Sequence, residues 1–120
     1  MENVLKDKSY TFALRVVKLA QYLNGRKKEY VLSKQVLRSG TAIGALVSEA
    51  EFAQSKPDFI NKLSIGLKEA NETYYWLKLL HDGKYISDTM FNSIKPQIKE
   101  LIKLFVASIK TAKENIKANQ

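Results

Sequence analysis

The chain has 120 residues, of which 45% are hydrophobic and 27% are charged, a size and composition typical of one globular domain around a single hydrophobic core. It contains no cysteine, which excludes disulfide frameworks, thiolate metal sites and cysteine nucleophiles. Its formal net charge of +8 at pH 7 favours nucleic acid, an anionic membrane or an acidic protein as a partner.

Four helices are predicted along the chain, because apolar residues recur at three-and-four spacing in four segments separated by short polar connections. No segment shows the alternation of a β-strand. The sequence therefore predicts an all-α, antiparallel, up-and-down four-helix bundle as a single domain over residues 1–120. The predicted helices cover about 10–24, 34–54, 57–81 and 88–117.

Each predicted helix begins at a serine that is suited to an N-cap. Ser9 precedes the first helix, Ser33 the second and Ser87 the fourth. Ser55 precedes the third, where Pro57 occupies an early helical position and an acid follows three residues after the serine, as in a capping box.

Pro96 conflicts locally with the fourth helix, because proline removes a backbone hydrogen bond and disfavours helical geometry in the residue before it. We expect either a kink there or a short helical turn followed by a fresh start at Pro96.

The amino-terminal residues lack the apolar core of a signal peptide, and no apolar run approaches the roughly 20 residues that span a bilayer. We therefore expect a cytoplasmic protein without a membrane partner. A membrane-surface helix is disfavoured, because the bundle core should already occupy the apolar faces.

The fourth helix carries a stripe of lysines within an arc of about 80° beside its apolar face. A line of ammonium groups can follow a phosphate backbone and release counterions without reading bases, which predicts nucleic-acid binding. The alternative is an ordinary solvated helix face. The stripe consists of Lys95, Lys99, Lys103, Lys110, Lys113 and Lys117.

A second basic segment lies in the predicted connection between the first two helices, and we expect it to add to the nucleic-acid-binding surface. It consists of Arg26, Lys27 and Lys28. Four aromatic residues are candidates for stacking on bases, although core or subunit contacts are the alternative. They are Tyr22, Tyr30, Tyr75 and Trp76.

Gly40, Gly44 and Ser48 are four residues apart on the second helix and form a face of small side chains. Glycine in a helix interior costs about 1 kcal/mol relative to alanine, so two of them indicate a contact that needs the space. The pattern predicts a close helix–helix or subunit interface, and ordinary core packing is the alternative.

The sequence gives no pattern for catalysis, a metal or a cofactor. The only histidine, His81, lies at the end of the third helix, and the Glu-x-x-His pairs of di-metal bundles do not occur. We therefore predict a protein that is not an enzyme and has no small-molecule substrate. The carboxylates of Glu49, Glu69 and Glu72 are expected to pair with Arg38 or with lysines between helices.

Several segments match a known family. LRSGTAIGA at 37–45, SKPDFI at 55–60, KLSIGLKEANET at 62–73 and YWLKLL at 75–80 resemble the bacterial four-helix-bundle proteins that are encoded in intervening sequences of 23S ribosomal RNA genes. The resemblance is specific across residues 37–80, and the flanking helices fit by length and pattern only.

This resemblance implies an antiparallel bundle that assembles as a homopentamer, similar to the accessory protein of diversity-generating retroelements, which binds nucleic acid and a reverse transcriptase. It implies no catalytic residues. We therefore expect a non-enzymatic, homo-oligomeric basic protein that binds nucleic acid through lysine-rich helix faces. The alternative is a protein–protein scaffold or an accessory factor for a nucleic-acid enzyme such as a reverse transcriptase.

Overall fold

The structure, a computed structural model, describes residues 2–119 and the side chains of residues 4–119. It contains four α-helices, and no strand occurs within residues 2–119. The predicted all-α fold is therefore confirmed. The helices are α1 (Glu2–Gly25), α2 (Leu32–Glu51), α3 (Lys56–Asp82) and α4 (Asp88–Ala118).

The helices pack in sequence order around a common core: α1 contacts α2, α2 contacts α3, α3 contacts α4, and α4 returns to α1. Residue numbers rise along one helix as they fall along its neighbour, since Lys6 meets Glu51 and Asn24 meets Ser33 across α1 and α2. The same reversal holds across the other three pairs. The result is an antiparallel array with extents of 54 × 22 × 20 Å.

The core is built from the apolar rows that the three-and-four spacing predicts. Its largest fully buried apolar side chains come from all four helices: Phe12, Val16, Leu23, Val36, Ile43, Leu77, Leu80, Ile98, Leu101 and Phe105. A buried polar contact joins α2 to α3, where the Thr73 hydroxyl donates to Ser39 Oγ at 2.8 Å. None of the described helices combines the length and apolarity needed to cross a membrane.

The predicted start of the first helix at residue 10 is wrong, because α1 begins at Glu2. Ser9 is not a cap but an interior helical residue, buried, whose hydroxyl donates to the Lys6 carbonyl at 3.0 Å. A Cβ atom added to Gly44 would lie 3.4 Å from the Ser9 carbonyl oxygen. Ser9 is therefore a small packing residue where α1 approaches α2.

The predicted cap of the second helix is also wrong. The Glu29 carboxylate caps α2, accepting hydrogen bonds from the backbone amides of Ser33 at 2.8 Å and Leu32 at 3.1 Å. Ser33 lies inside the helix and its hydroxyl donates to Asn24 Oδ1 at 2.8 Å. An acceptor from the preceding loop therefore replaces the expected serine, and the helix starts two residues earlier.

The second helix ends at Glu51 and not at residue 54. The Gln54 amide donates to the Asp58 carboxylate at 3.2 Å, so it takes part in the start of α3. Ser55 Oγ accepts from the Asp58 amide at 3.1 Å. The capping box predicted for the third helix is thus confirmed. Because the Gln54 amide bonds to Asp58 at the start of α3, Gln54 is not part of α2.

The predicted cap of the fourth helix is confirmed, since Ser87 Oγ accepts from the Met90 amide at 3.1 Å. The helix then continues through Pro96, so the expected fresh start there is wrong. Pro96 and Asn92 are both exposed. Water can therefore satisfy the Asn92 carbonyl, which proline deprives of its helical donor.

Candidate nucleic-acid interface

The six predicted lysines of α4 lie along one side of the helix, beside the row that packs into the core. Five are exposed and Lys95 is half-buried. Within residues 4–119, none of the six has a carboxylate oxygen within 4.0 Å. The structure therefore brings these six ammonium groups to one helix face without a counter-charge in direct contact.

The glutamates that form ion pairs have partners outside the lysine stripe. Glu100 of α4 contacts Lys8 of α1 at 3.0 Å, and Glu51 of α2 contacts Lys6 of α1 at 3.0 Å. The expected pairing of the other glutamates is confirmed: Arg38 contacts Glu69 and Glu72, and Lys62 contacts Glu49. These paired glutamates thus lie between helices, and Glu100, which lines a depression with Lys95, Lys99 and Lys103, has Lys8 as its partner.

An additional lysine joins the stripe from α3. Lys78 Nζ lies 4.7 Å and Lys99 Nζ 5.7 Å from the centroid of the Tyr74 ring, and Lys95 Nζ lies 5.6 Å from the centroid of Phe91. These are cation–π distances. We call the surface formed by Lys78 and the six α4 lysines the cationic face.

Lys78 is absent from the basic surface that the sequence predicts. One local pattern points to it, because Tyr74 and Lys78 are four residues apart and therefore adjacent on a helix surface. That pattern shows a cation near a ring but not that the ring faces α4. The position of Lys78 beside the stripe follows only from the packing of α3 against α4.

The predicted basic segment of the first connection is exposed, and Lys28 has a positive φ of 54°. Lys27 lines a shallow depression with His81 and Lys84, at the end of the bundle where α3 is joined to α4. The segment therefore lies at one end of the bundle, beside the second connection. The other two residues of the segment are Arg26 and Lys28.

His81 ties the end of α3 to the start of α4. Its Nδ1 lies 3.0 Å from Asp82 Oδ1 and its Nε2 lies 2.6 Å from Asp88 Oδ1. Hydrogen bonds to Asp88 and then Asp82 raise the pKa of His81 above its ordinary value. Both ring nitrogens are thus engaged by carboxylates. Within residues 4–119, no three metal-ligating side chains are close enough to hold an ion.

The predicted interface residues fall where α2 meets α1. A Cβ atom on Gly40 would lie 2.8 Å from both methyl carbons of Val16, so α1 requires glycine at this position. Gly44 is half-buried against Ser9, and Ser48 is exposed. The close approach is therefore made within one chain, and a role for these residues between subunits stays a prediction.

A surface of apolar and small side chains lies along the outer side of α1 and α2, and Lys6 and Asp7 are the charged residues at its groove. Tyr10 is 66% exposed, Leu14 50% and Val17 37%. Three small residues of α2 line a groove with Tyr10: Thr41, Ala45 and Ser48. We call these six residues the neutral face. Because α1/α2 and α3/α4 are opposite edges of the array, the neutral and cationic faces lie on opposite sides of the bundle.

The four aromatic candidates are not part of the cationic face. Tyr22 and Trp76 pack against the core, and the Trp76 indole donates to Glu72 at 3.2 Å. Tyr75 lies edge-to-face on Trp76 at 5.2 Å, and Tyr30 is exposed in the first connection. None of the four has an ammonium group of the cationic face over its ring.

The chain matches a known protein family over most of its length. Residues 1–107 match the family described as 23S rRNA-intervening sequence protein. The chain belongs to this family. The match confirms the resemblance seen across residues 37–80 and extends it to the flanking helices.

The chain is also similar to a solved structure, that of a protein with unknown function from the S23 ribosomal protein family of Bacteroides thetaiotaomicron. The two are 55% identical with a TM-score of 0.90, over 91% of this chain and 97% of that one. No curated protein shows significant similarity.

Proposed function

We propose that this member of the 23S rRNA-intervening sequence protein family is a non-enzymatic, homo-oligomeric protein of the cytoplasm that binds nucleic acid through its cationic face. The observation that carries the proposal is the alignment of six α4 ammonium groups, joined by Lys78, without carboxylate partners within residues 4–119. Such a line contacts phosphates and releases counterions, which gives affinity that does not depend on base sequence.

The spacing of the lysines supports this use. Lys95, Lys99 and Lys103 are four residues apart on a continuous helix, which separates them by about 6 Å along the axis. Each flexible side chain can reach a different phosphate without deformation of the backbone. The helix is therefore a rigid support for several phosphate contacts at once.

The neutral face supports the proposed self-association. Chains with a net charge of +8 repel one another, so contact between copies is most favourable where it brings no lysines together. Tyr10 and Leu14 offer exposed apolar area on a surface whose groove contains one lysine, Lys6, which is paired with Glu51. Assembly through it, as the pentamer implied by the family resemblance, leaves the cationic faces outward and allows several copies to bind one nucleic acid.

The nucleic-acid proposal is tested by reversing charge on the stripe. We expect the triple variant K99E/K103E/K110E to lose about 100-fold in affinity for structured RNA and duplex DNA, measured by fluorescence anisotropy, because each lost phosphate contact costs about 1 kcal/mol. The control K18E/K34E/K56E reverses three exposed lysines elsewhere and should lose less than about tenfold. Affinity that survives the first triple change removes the proposal.

Light scattering on the purified protein tests self-association. We expect a mass that is a multiple of 13.7 kDa and a smaller mass for Leu14→Glu, which places a charge in the neutral face. Lys84→Glu, which changes an exposed residue of the connection between α3 and α4, is the control. A monomeric wild-type protein contradicts both the assembly and the avidity that depends on it.

The neutral face favours a second candidate function, a scaffold or accessory factor for a nucleic-acid enzyme such as a reverse transcriptase. In that case the exposed apolar residues of α1 contact a protein partner and nucleic acid is incidental. Affinity capture from nuclease-treated lysate separates the two. Retention of an enzyme that Leu14→Glu releases, with the cationic-face variants unaffected, favours the scaffold.

A further inference from the structure

We infer that the cationic face is a two-helix surface on which Lys78 of α3 and Lys99 of α4 bind one phosphate between them, and that it selects double-stranded over single-stranded nucleic acid. This inference rests on the proposed function. It adds a binding residue on α3 and the structural class of the ligand.

Two ammonium groups, one from each helix, lie at the Tyr74 ring. Lys78 Nζ and Lys99 Nζ lie 4.7 and 5.7 Å from the same ring centroid, so their separation cannot exceed the sum of these distances. Like charges at such a range repel, and the ring offsets only part of the repulsion. Because both lysine side chains are flexible, they can turn toward a phosphate bound beside Tyr74, which accepts a hydrogen bond from each ammonium group and relieves the repulsion.

The two aromatic rings that border these lysines are not available for base stacking. Proteins that bind single strands combine a basic groove with exposed rings on which bases stack. Tyr74 is half-buried beside two ammonium groups, and Phe91 is 8% exposed and stacks on His81 with centroids 4.4 Å apart. Neither presents a free face to a base.

The exposed aromatic side chains lie elsewhere in the described part of the chain. Tyr10 is on α1, and Tyr30 and Phe52 are in the first and second connections. Tyr75 lies three residues before Lys78 on α3, but its ring packs edge-to-face against Trp76. Base stacking is worth about 1–3 kcal/mol per base in single-strand binders. Neither Tyr74 nor Phe91, the two rings that ammonium groups of the cationic face contact, would supply this contribution.

The shape of the stripe also favours a duplex. From Lys95 to Lys117 the stripe runs along one continuous helix for about 33 Å, close to the length of one turn of a duplex, about 34–36 Å. A duplex presents its phosphates in a fixed array at high linear charge density. A single strand must be ordered along the stripe, at an entropic cost that stacking would otherwise offset.

The test uses the full chain and fluorescence anisotropy in about 150 mM salt. The probes are a labelled RNA duplex of about 20 base pairs and one of its strands alone, with the same pair made as DNA to separate the two backbones. We expect the duplex to bind at least about tenfold more tightly than the single strand in both chemistries.

Variants at Lys78 test the two-helix surface. Lys78→Glu should lower duplex affinity by about tenfold, and Lys78→Arg should retain it, because a phosphate accepts from either cation. Lys34→Glu, which makes the same change of charge at an exposed residue of α2, is the control and should change duplex affinity by less than about threefold. Circular dichroism confirms that each variant keeps its helices.

The outcomes are separable. A single strand that binds as tightly as the duplex overturns the selection, and a K78E effect no larger than that of K34E overturns the two-helix site. Both results leave the proposed function in place if the α4 charge reversals still abolish binding. Failure of duplex and single strand alike to bind the wild-type chain overturns the inference together with the proposed function.

Discussion

The α1/α2 pair and the α3/α4 pair are packed by the same means but present different surfaces. In the first, Gly40 lies directly under Val16, and in the second, Gly66 lies under Phe105. The outer side of the first pair is the neutral face, and that of the second is the cationic face. Close approach of the helix backbones at a glycine therefore sets the fold on both sides, whereas the exposed side chains determine what each side can bind.

The connections of the two pairs also differ. Between α1 and α2, the buried Glu29 carboxylate accepts hydrogen bonds from three successive backbone amides. Between α3 and α4, His81 bridges Asp82 and Asp88, whose side chains are 77% and 87% exposed. Loss of the Glu29 hydrogen bonds should therefore destabilise the protein more than loss of the His81 contacts.

The largest expected effect breaks the packing of the second pair. A Cβ atom at Gly66 would lie 2.6 Å from Phe105 Cε1, and Phe105 is fully buried. Gly66→Val should lower the free energy of unfolding by about 3 kcal/mol, measured by urea denaturation. Gly25→Ala is the control, because nothing lies within 4 Å of its added Cβ. A G66V protein as stable as the control contradicts the packing account.

The first pair allows a compensating change. Gly40→Val should also destabilise the protein by about 2–3 kcal/mol, because its Cβ would meet both methyl carbons of Val16. Val16→Ala in the same chain removes those methyls and should recover part of the loss. Strict additivity of the two changes would show that this contact does not limit the approach of α1 to α2.

The next effect concerns the first connection. Glu29→Ala leaves the amides of Val31, Leu32 and Ser33 without their acceptor and should cost about 1–2 kcal/mol of unfolding free energy. Glu114→Ala, which removes an exposed carboxylate that forms no ion pair within residues 4–119, is the matched control. Equal stability of the two variants would mean that the cap is not needed.

A smaller effect concerns the link between the two pairs. The Arg38 guanidinium contacts Glu69 at 3.2 Å and Glu72, while half of its side chain is exposed. Arg38→Met should cost about 0.5–1 kcal/mol at low salt and less in about 1 M salt, where exposed charges are screened. Urea denaturation at both salt concentrations measures the difference. A cost that does not fall with salt would assign the effect to packing.

The smallest effect is the pH dependence of the second connection. The pKa of His81 is raised above its ordinary value of 6.5 by hydrogen bonds to Asp88 and Asp82, so the folded state favours the protonated ring. This stabilisation is fully present below the unfolded-state pKa and is lost as pH rises through the higher folded-state pKa. A nuclear magnetic resonance titration of the single histidine checks the direction. His81→Gln should remove this part of the pH dependence, and a folded-state pKa below 6.5 contradicts it.

The sequence predicts those elements whose information is local. The caps at Ser55 and Ser87 are found because a hydroxyl and an amide three residues later interact without help from the rest of the fold. Ser9 and Ser33 are also serines, but neither caps a helix. Both lie where α1 and α2 pack closely, and their hydroxyls donate to Lys6 and Asn24 instead. Glu29 caps α2 only because the loop places its carboxylate at the start of that helix, and no residue pattern in the sequence predicts this placement.

The same distinction applies to the candidate site. The α4 stripe follows from helical periodicity alone, since all its members belong to one helix. Lys78 joins it only because α3 lies beside α4, and the neutral face exists only because α1 lies beside α2. A single sequence specifies which residues share a helix face, but not which faces are adjacent in the bundle.

The salt dependence of duplex binding tests the central account most directly. For the wild-type chain we expect the logarithm of the binding constant to fall linearly with the logarithm of salt concentration, with a slope of about −3 or steeper. In K99E/K103E/K110E the slope should become shallower by about 2–3, one for each lost phosphate contact. A wild-type slope near zero, or the same slope in both proteins, contradicts the role of the cationic face.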